Sequence, residues 1–168
     1  MAGTAARSIG GSTSVAPVPT TASVNTTAVG NVDTGEDDLM SYAVPANTLS
    51  ANGRVVKITA WGTSANNANA KTLKLKVAST NILTFSMSVS VAGRWDVEAY
   101  VIRTGVDAQD YKVHLDEQDS AFTSPSGMDI EVGSLTEDDG AAITIKMTGE
   151  GVATNDIVQE GMIVEVLN

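Results

Sequence analysis

Lys71–Ala78 reads KTLKLKVA, and Arg94–Arg103 reads RWDVEAYVIR. In the first stretch Leu73, Leu75 and Val77 alternate with Thr72, Lys74 and Lys76. In the second, Trp95, Val97, Ala99 and Val101 hold every other position. Successive side chains of a strand point to opposite faces, so a period of two gathers each apolar row on one side of a sheet. The same alternation extends outward from these two runs. Leu39–Val44 (LMSYAV) is a strand stopped by Pro45, and Arg54–Trp61 (RVVKITAW) follows the turn Ala51-Asn52-Gly53. Ile82–Val91 offers one or two strands, and Tyr111, Val113 and Leu115 alternate with Lys112 and His114. Met128–Val132, Ala142–Thr148, Ile157–Val158 and Met162–Leu167 complete the set. No run has helical character, because β-branched residues dominate and Gly, Asn, Asp and Pro interrupt. Eight to ten short strands predict an all-β fold, a jelly-roll-like antiparallel β-sandwich with an extended N-terminal arm. Trp95 anchors the expected core, with Trp61 as a second candidate anchor.

The arm is residues 1–32 and the sandwich body is residues 33–168. The arm is almost wholly Ala, Ser, Thr, Gly, Val and Pro, and its one charged side chain is Arg7. Such a segment buries too little surface to offset its own ordering entropy. It is either a flexible tail or an arm lying along neighbouring subunits. In the second case Arg7, Val15, Val18, Val24 and Val29 are its partner-binding residues, and Val24–Val29 would add to a neighbour's sheet edge.

Composition removes many chemistries. The chain has 168 residues, a net charge of −10, no cysteine and one histidine. Disulfides, thiolate metal sites and cysteine nucleophiles are excluded. A strongly acidic balance argues against a nucleic-acid groove. No G-x-S-x-G elbow and no phosphate loop occur. His114 falls on the strand face opposite Val113 and Leu115, so it reads as an exposed histidine rather than a catalytic base. The acids cluster at Asp33–Asp38, Asp116–Asp119 and Glu137–Asp139 and read as solvated turns. Calcium is the lesser reading, because the EF-hand spacing is absent. No catalytic residue, cofactor or metal is expected. Met1–Gly11 lacks an apolar run, and no stretch reaches the length of a membrane helix, so neither a secretion signal nor a membrane role is expected.

The charge is unevenly spread. Residues 1–84 carry six basic against four acidic residues, a balance of +2. Residues 85–168 carry four against sixteen, a balance of −12. Lys71, Lys74 and Lys76 form a basic stripe that serves either as a docking face for an acidic neighbour or as a solvated face that discourages edge pairing.

The run Gly30–Leu75 reads GNVDTGEDDLMSYAVPANTLSANGRVVKITAWGTSANNANAKTLKL. It resembles a module of tailed-bacteriophage virion proteins. That module has a Gly–acid turn, L-x-x-Y-x-V/L-P-A-x-x-L, an Asn-Gly turn, an Asn/Ala-rich loop and K-x-L-K/R-L. Trp95–Gly105 (WDVEAYVIRTG) and Asn155–Leu167 (NDIVQEGMIVEVL) agree with its later pieces. The chain departs from it at Val77-Ala78-Ser79-Thr80, where related sequences often have Gly-Gly. The resemblance implies a jelly-roll-like sandwich that assembles as a homotrimer in the virion. A body plus an arm favours a non-enzymatic capsid decoration (cement) protein. Such a protein is made in the host cytoplasm and contacts the major capsid protein or other virion proteins on the head surface. The alternative is a tail-fibre, tail-tip or head-fibre module that recognises a host glycan. Trp61, Tyr42 and Tyr100 are among the few aromatics available to stack on a sugar.

Overall fold

The computed structural model describes residues 20–87, 92–119 and 125–167. These residues form two antiparallel sheets and no helix. The strands are β1 (Thr20–Asn25), β2 (Val29–Gly30), β3 (Glu36–Val44), β4 (Val55–Ser64), β5 (Thr72–Val77) and β6 (Thr80–Ser86). They continue with β7 (Gly93–Gly105), β8 (Ala108–Asp119), β9 (Pro125–Leu135), β10 (Ile143–Glu150) and β11 (Ile157–Leu167). The larger sheet runs β1-β11-β4-β7-β8-β9, with β2 also paired to β11. The smaller sheet runs β3-β10-β5-β6. This is the expected β-sandwich.

The core lies between the sheets and is built from the alternating rows. Val56, Ile58 and Ala60 of β4 face inward beside Trp95, Val97, Ala99 and Val101 of β7 and Val113 and Leu115 of β8. Leu73, Leu75 and Val77 of β5 and Ile143, Ile145 and Met147 of β10 meet them from the smaller sheet. Trp95 is buried, and its indole N–H donates to the Thr63 carbonyl at 3.2 Å. Trp61 corrects an expectation. It follows Ala60 on β4, so strand parity turns it to the outer face, where it is half-buried.

At the chain's start β1 pairs with β11 of the same chain, Thr20 opposite Val166 and Asn25 opposite Met162, and its other edge is the margin of the larger sheet. β2 pairs with β11 next to it, and Asn31 seals the join. Its amide accepts from Ile157 N at 2.9 Å and donates to the Ala153 carbonyl at 2.9 Å. The division at residue 32 therefore falls beyond two strands that are already part of the larger sheet.

The departure at Val77-Ala78-Ser79-Thr80 is a two-residue hairpin turn between β5 and β6. Ala78 takes φ 50°, a left-handed value that glycine adopts at less cost.

Candidate functional site

The sequence-expected contact residues fall in three places. Arg7, Val15 and Val18 lie outside the described residues. Val24 is exposed on β1, the edge of the larger sheet, and Val29 packs against the core from β2. The lysines separate from one another. Lys74 and Lys76 face outward on β5, but Lys71 is buried.

Lys71 sits just before β5 on the inward parity, and the Asn-rich loop before it closes around its ammonium. Its Nζ donates to Asn67 Oδ1 at 2.8 Å, to the Asn69 carbonyl at 3.1 Å and to the Asn67 carbonyl at 3.3 Å. A buried ammonium so surrounded is a structural tie and is withdrawn from any docking stripe. Sequence reading missed this because the loop's asparagines satisfy the charge from outside the strand.

Lys74 and Lys76 form the row that remains, and it is internally paired. Both contact the Glu36 carboxylate of β3 across β10, and Lys74 also lies 3.7 Å from Glu150. The hydrogen bonds from Lys74, then from Lys76, hold the Glu36 carboxyl at about 2, well below its ordinary value. Lys146 beside them pairs with Asp38 at 2.8 Å. An acidic partner would have to displace these carboxylates.

A surface that sequence reading did not mark is the outer row of β9. Met128, Ile130 and Val132 are 66%, 55% and 69% exposed. They stand opposite Asp116, His114 and Lys112 on the outer face of β8. The alternate positions Asp129 and Glu131 take the core-side parity, opposite Leu115 and Val113. Over Met128–Val132 the usual pattern of apolar inside and polar outside is inverted, with Asp129 half-buried and Glu131 exposed, and Leu135 on their parity returns to the core. β9 is also the last strand of its sheet among the described residues, so its far edge offers backbone donors and acceptors.

The outer face of the larger sheet also holds a groove of about 180 Å³, lined by Trp61, Gly62, Arg94, Trp95, Asp96, Gln118 and Glu160. A β-bulge in β11 builds it. The register with β4 shifts between Gln159 and Gly161, which leaves Glu160 as the extra, exposed residue. Gln159 turns inward and locks the bulge, accepting from Met40 N at 3.0 Å and donating to the Gly161 carbonyl at 3.2 Å. Gly161 lies directly opposite Trp61, and a Cβ there would overlap the indole. The ring therefore lies down over β11. Asp96 flanks Trp61 on the other side, from β7. Its carboxyl is raised above its ordinary value, first by desolvation in the groove and then by Asp116. Gln118 donates to Asp116 at 3.2 Å, which fixes that end of the groove.

Among the described residues, no group of three His, Asp or Glu side chains could hold a metal ion, and no helix is long and apolar enough to cross a membrane. The Asp33–Asp38 cluster is used within its turn: Asp33 Oδ1 accepts from Gly35 N at 2.7 Å, and Asp37 Oδ2 accepts from Val32 N at 2.7 Å. His114 is half-buried on the outer face, opposite Glu98 and Ile130.

No family model matches the chain, and no curated protein matches it. Among solved structures, it is similar to the CBM2 module of the evolved Dit of Lactobacillus casei BL23 phage J-1, at 8% identity and TM-score 0.37, over 74% of this chain and 67% of that one. It is also similar to the infectious bursal disease virus VP2 subviral particle, at 11% identity and TM-score 0.29, over 89% of this chain. The T=1 particles derived from infectious bursal virus give 10% identity and TM-score 0.29, again over 89% of this chain. The chain spans about 40% of the length of these two particle proteins. These are distant likenesses between β-folds.

Proposed function

We propose that this chain is a structural part of a tailed-phage virion, a capsid decoration protein that docks as a homotrimer on the outer head surface. The observation that carries this reading is the inverted β9 edge. A strand that exposes Met128, Ile130 and Val132 on a free sheet edge loses stability and invites aggregation unless a partner covers it. Self-pairing is disfavoured: two copies of β9 run antiparallel about Ile130 would set Asp129 against Glu131 of the other copy. The fitting partner is a capsid or other virion protein whose edge offers apolar residues on one face and basic residues on the other. The sequence resemblance supports the same assignment.

The test is co-sedimentation with heads that lack the protein. The full chain is expected to bind. A variant carrying Met128→Ser, Ile130→Ser and Val132→Ser is expected to bind at least about tenfold more weakly, because interface energy concentrates in buried apolar anchors. Its thermal midpoint should change little, since all three side chains are exposed. Equal binding by the variant would overturn the β9 assignment, and no binding by the full chain would overturn the decoration reading. Deleting residues 2–19 leaves β1 in place and reads the arm's share; deleting residues 1–32 would also strip β1 and β2 from the sheet.

A second reading, a tail-fibre, tail-tip or head-fibre module for a host glycan, is favoured by one specific observation, the Trp61 groove.

A further inference from the structure

We infer that the groove between the β11 bulge and β7 is a saccharide-binding site, with Trp61 as its stacking platform and Asp96 and Glu160 as its hydroxyl acceptors. The inference names the site behind the second reading, but it does not require a tail location. A decoration protein could carry the same groove on its outward sheet.

Three features of the groove point to this ligand class. The first is shape. The groove holds about 180 Å³, the scale of a single pyranose ring rather than of an extended peptide. The second is the platform. Trp61 is the only aromatic side chain presented on the outer parity at this site, since Trp95 lies on the core side with 2% exposure. Gly161 removes the side chain that would otherwise prop up the indole, so the ring is held against β11. A single indole face suits the flat C–H face of a sugar ring, whereas ammonium ligands are held by cages of several aromatic rings.

The third feature is the rim. Asp96 and Glu160 flank the indole from opposite strands, and Gln118 and Arg94 stand beyond Asp96 on β8 and β7. Carboxylates accept charge-assisted hydrogen bonds from hydroxyl groups, and amide and guanidinium groups donate to hydroxyl or ring oxygens. A ligand that both donates and accepts around an apolar face matches that set. A purely apolar ligand would leave the carboxylates desolvated. The sign of the charge narrows the class further. The lining carries two carboxylates, Asp96 and Glu160, against one guanidinium, Arg94, with Asp116 behind Gln118, so a sulfated, phosphorylated or uronic-acid sugar meets a net like charge. The ligand is therefore a neutral hexose or N-acetylhexosamine unit.

The test uses the full chain, titrated with neutral trisaccharides containing glucose, galactose or N-acetylglucosamine and followed by tryptophan fluorescence. At least one is expected to quench the emission saturably, and uronic-acid trisaccharides are not. Trp61→Ala should weaken binding at least about tenfold, while Trp61→Phe should retain part of it. Gly161→Ala should also weaken binding, because it displaces the ring without removing a polar group. Thermal midpoints identify any variant that fails to fold. Failure of all neutral saccharides to bind would overturn the inference. Preferential binding of a lysine-rich or methyl-lysine peptide would also overturn it, marking a cation site instead. Head co-sedimentation of Trp61→Ala separates the two readings: unchanged head binding with lost sugar binding keeps decoration and groove as distinct functions.

Discussion

Replacing Arg103 by methionine is expected to destabilise the fold by about 3–5 kcal/mol, the range measured when one partner of a buried ion pair is removed. Arg103 ends β7 and is 9% exposed. Its Nε donates to Asp139 Oδ2 at 2.6 Å, and Nη1 donates to Asn52 Oδ1. Asp139 lies in the β9–β10 connection, so the pair ties that connection and the Asn52 turn to the end of the larger sheet. Asp139 also accepts from Gln109 Nε2 at 2.7 Å and from Asp107 N at 3.0 Å. Burial alone would raise the Asp139 carboxyl, but Arg103, Asp107 and Gln109 together hold it below its ordinary value. Methionine fills much of the arginine's volume and leaves that carboxylate without its cation. Urea or thermal unfolding measures the loss, and a fall in Tm on the order of 10 °C is expected. The double variant Arg103→Met, Asp139→Leu should recover part of the loss, because burying neither charge is cheaper than burying one. A change below about 1 kcal/mol in the single variant would show that the pair is solvated and contributes only as a surface bridge does.

Asp156→Ala is expected to cost about 3 kcal/mol, because it removes the buried carboxylate that four part-buried donors share. The side chain is 1% exposed at the start of β11. It accepts from Asn67 Nδ2 at 2.6 Å, Asn69 Nδ2 at 2.9 Å, Val152 N at 2.9 Å and Ala153 N at 2.8 Å. Asn67 passes the order on to Lys71, so the loop before β5 and the turn before β11 are held as one polar cluster. Burial pushes the Asp156 carboxyl up, but the bonds from Asn67, Ala153, Asn69 and Val152 outweigh it and hold the group at about 2. A carboxyl whose folded value is depressed contributes stability that is fully present above its unfolded value, and loses it as the pH falls toward the folded value. For Asp156 that window runs from about pH 4 down to about pH 2, with roughly 2.5 kcal/mol at stake. Glu36 is depressed in the same direction by Lys74 and Lys76. Being more solvent-exposed, it adds a smaller share over the same window. Urea midpoints measured from pH 6 to pH 2 should therefore fall below about pH 4, with a shallower fall in Asp156→Ala. Parallel curves for the two proteins would show that Asp156 does not carry the acid sensitivity.

The core was legible because it is governed by parity. Leu73, Leu75, Val77, Trp95, Val97, Ala99, Val101, Ile143, Ile145 and Met147 each follow a strict alternation, and each is buried. Trp61 and Lys71 obey the same rule, but residue type pointed the other way. A tryptophan was expected inside and a lysine outside, and strand phase prevailed over composition in both cases. The strands β1 and β2 were hidden because TTASVN and VG carry little apolar alternation, and their stability comes from the edge that β11 offers them. The groove was hidden for a different reason. It depends on a one-residue bulge at Glu160, a pairing event between β11 and β4 that leaves no periodicity of its own. The β9 surface was visible as a short strand at Met128–Val132. Which of its two rows faced solvent could be settled only by its register with β8.

The charge division also took on a structural meaning. Lys71, Lys74 and Lys76 do not form one continuous exposed stripe, since Lys71 is buried and Lys74 and Lys76 are paired with Glu36. Among the described residues, the uncharged β1 edge, the apolar row of β9 and the acid-rimmed Trp61 groove offer surfaces for contact.

The proposal that this chain works by docking on a phage head is tested most directly by locating it on the intact particle. Antibody or gold labelling of the native protein, viewed by electron microscopy, reads its position without dependence on any single residue. The account predicts label distributed over the outer head surface and absent from the tail. Label confined to the tail or its tip, or a particle that carries none, would contradict it.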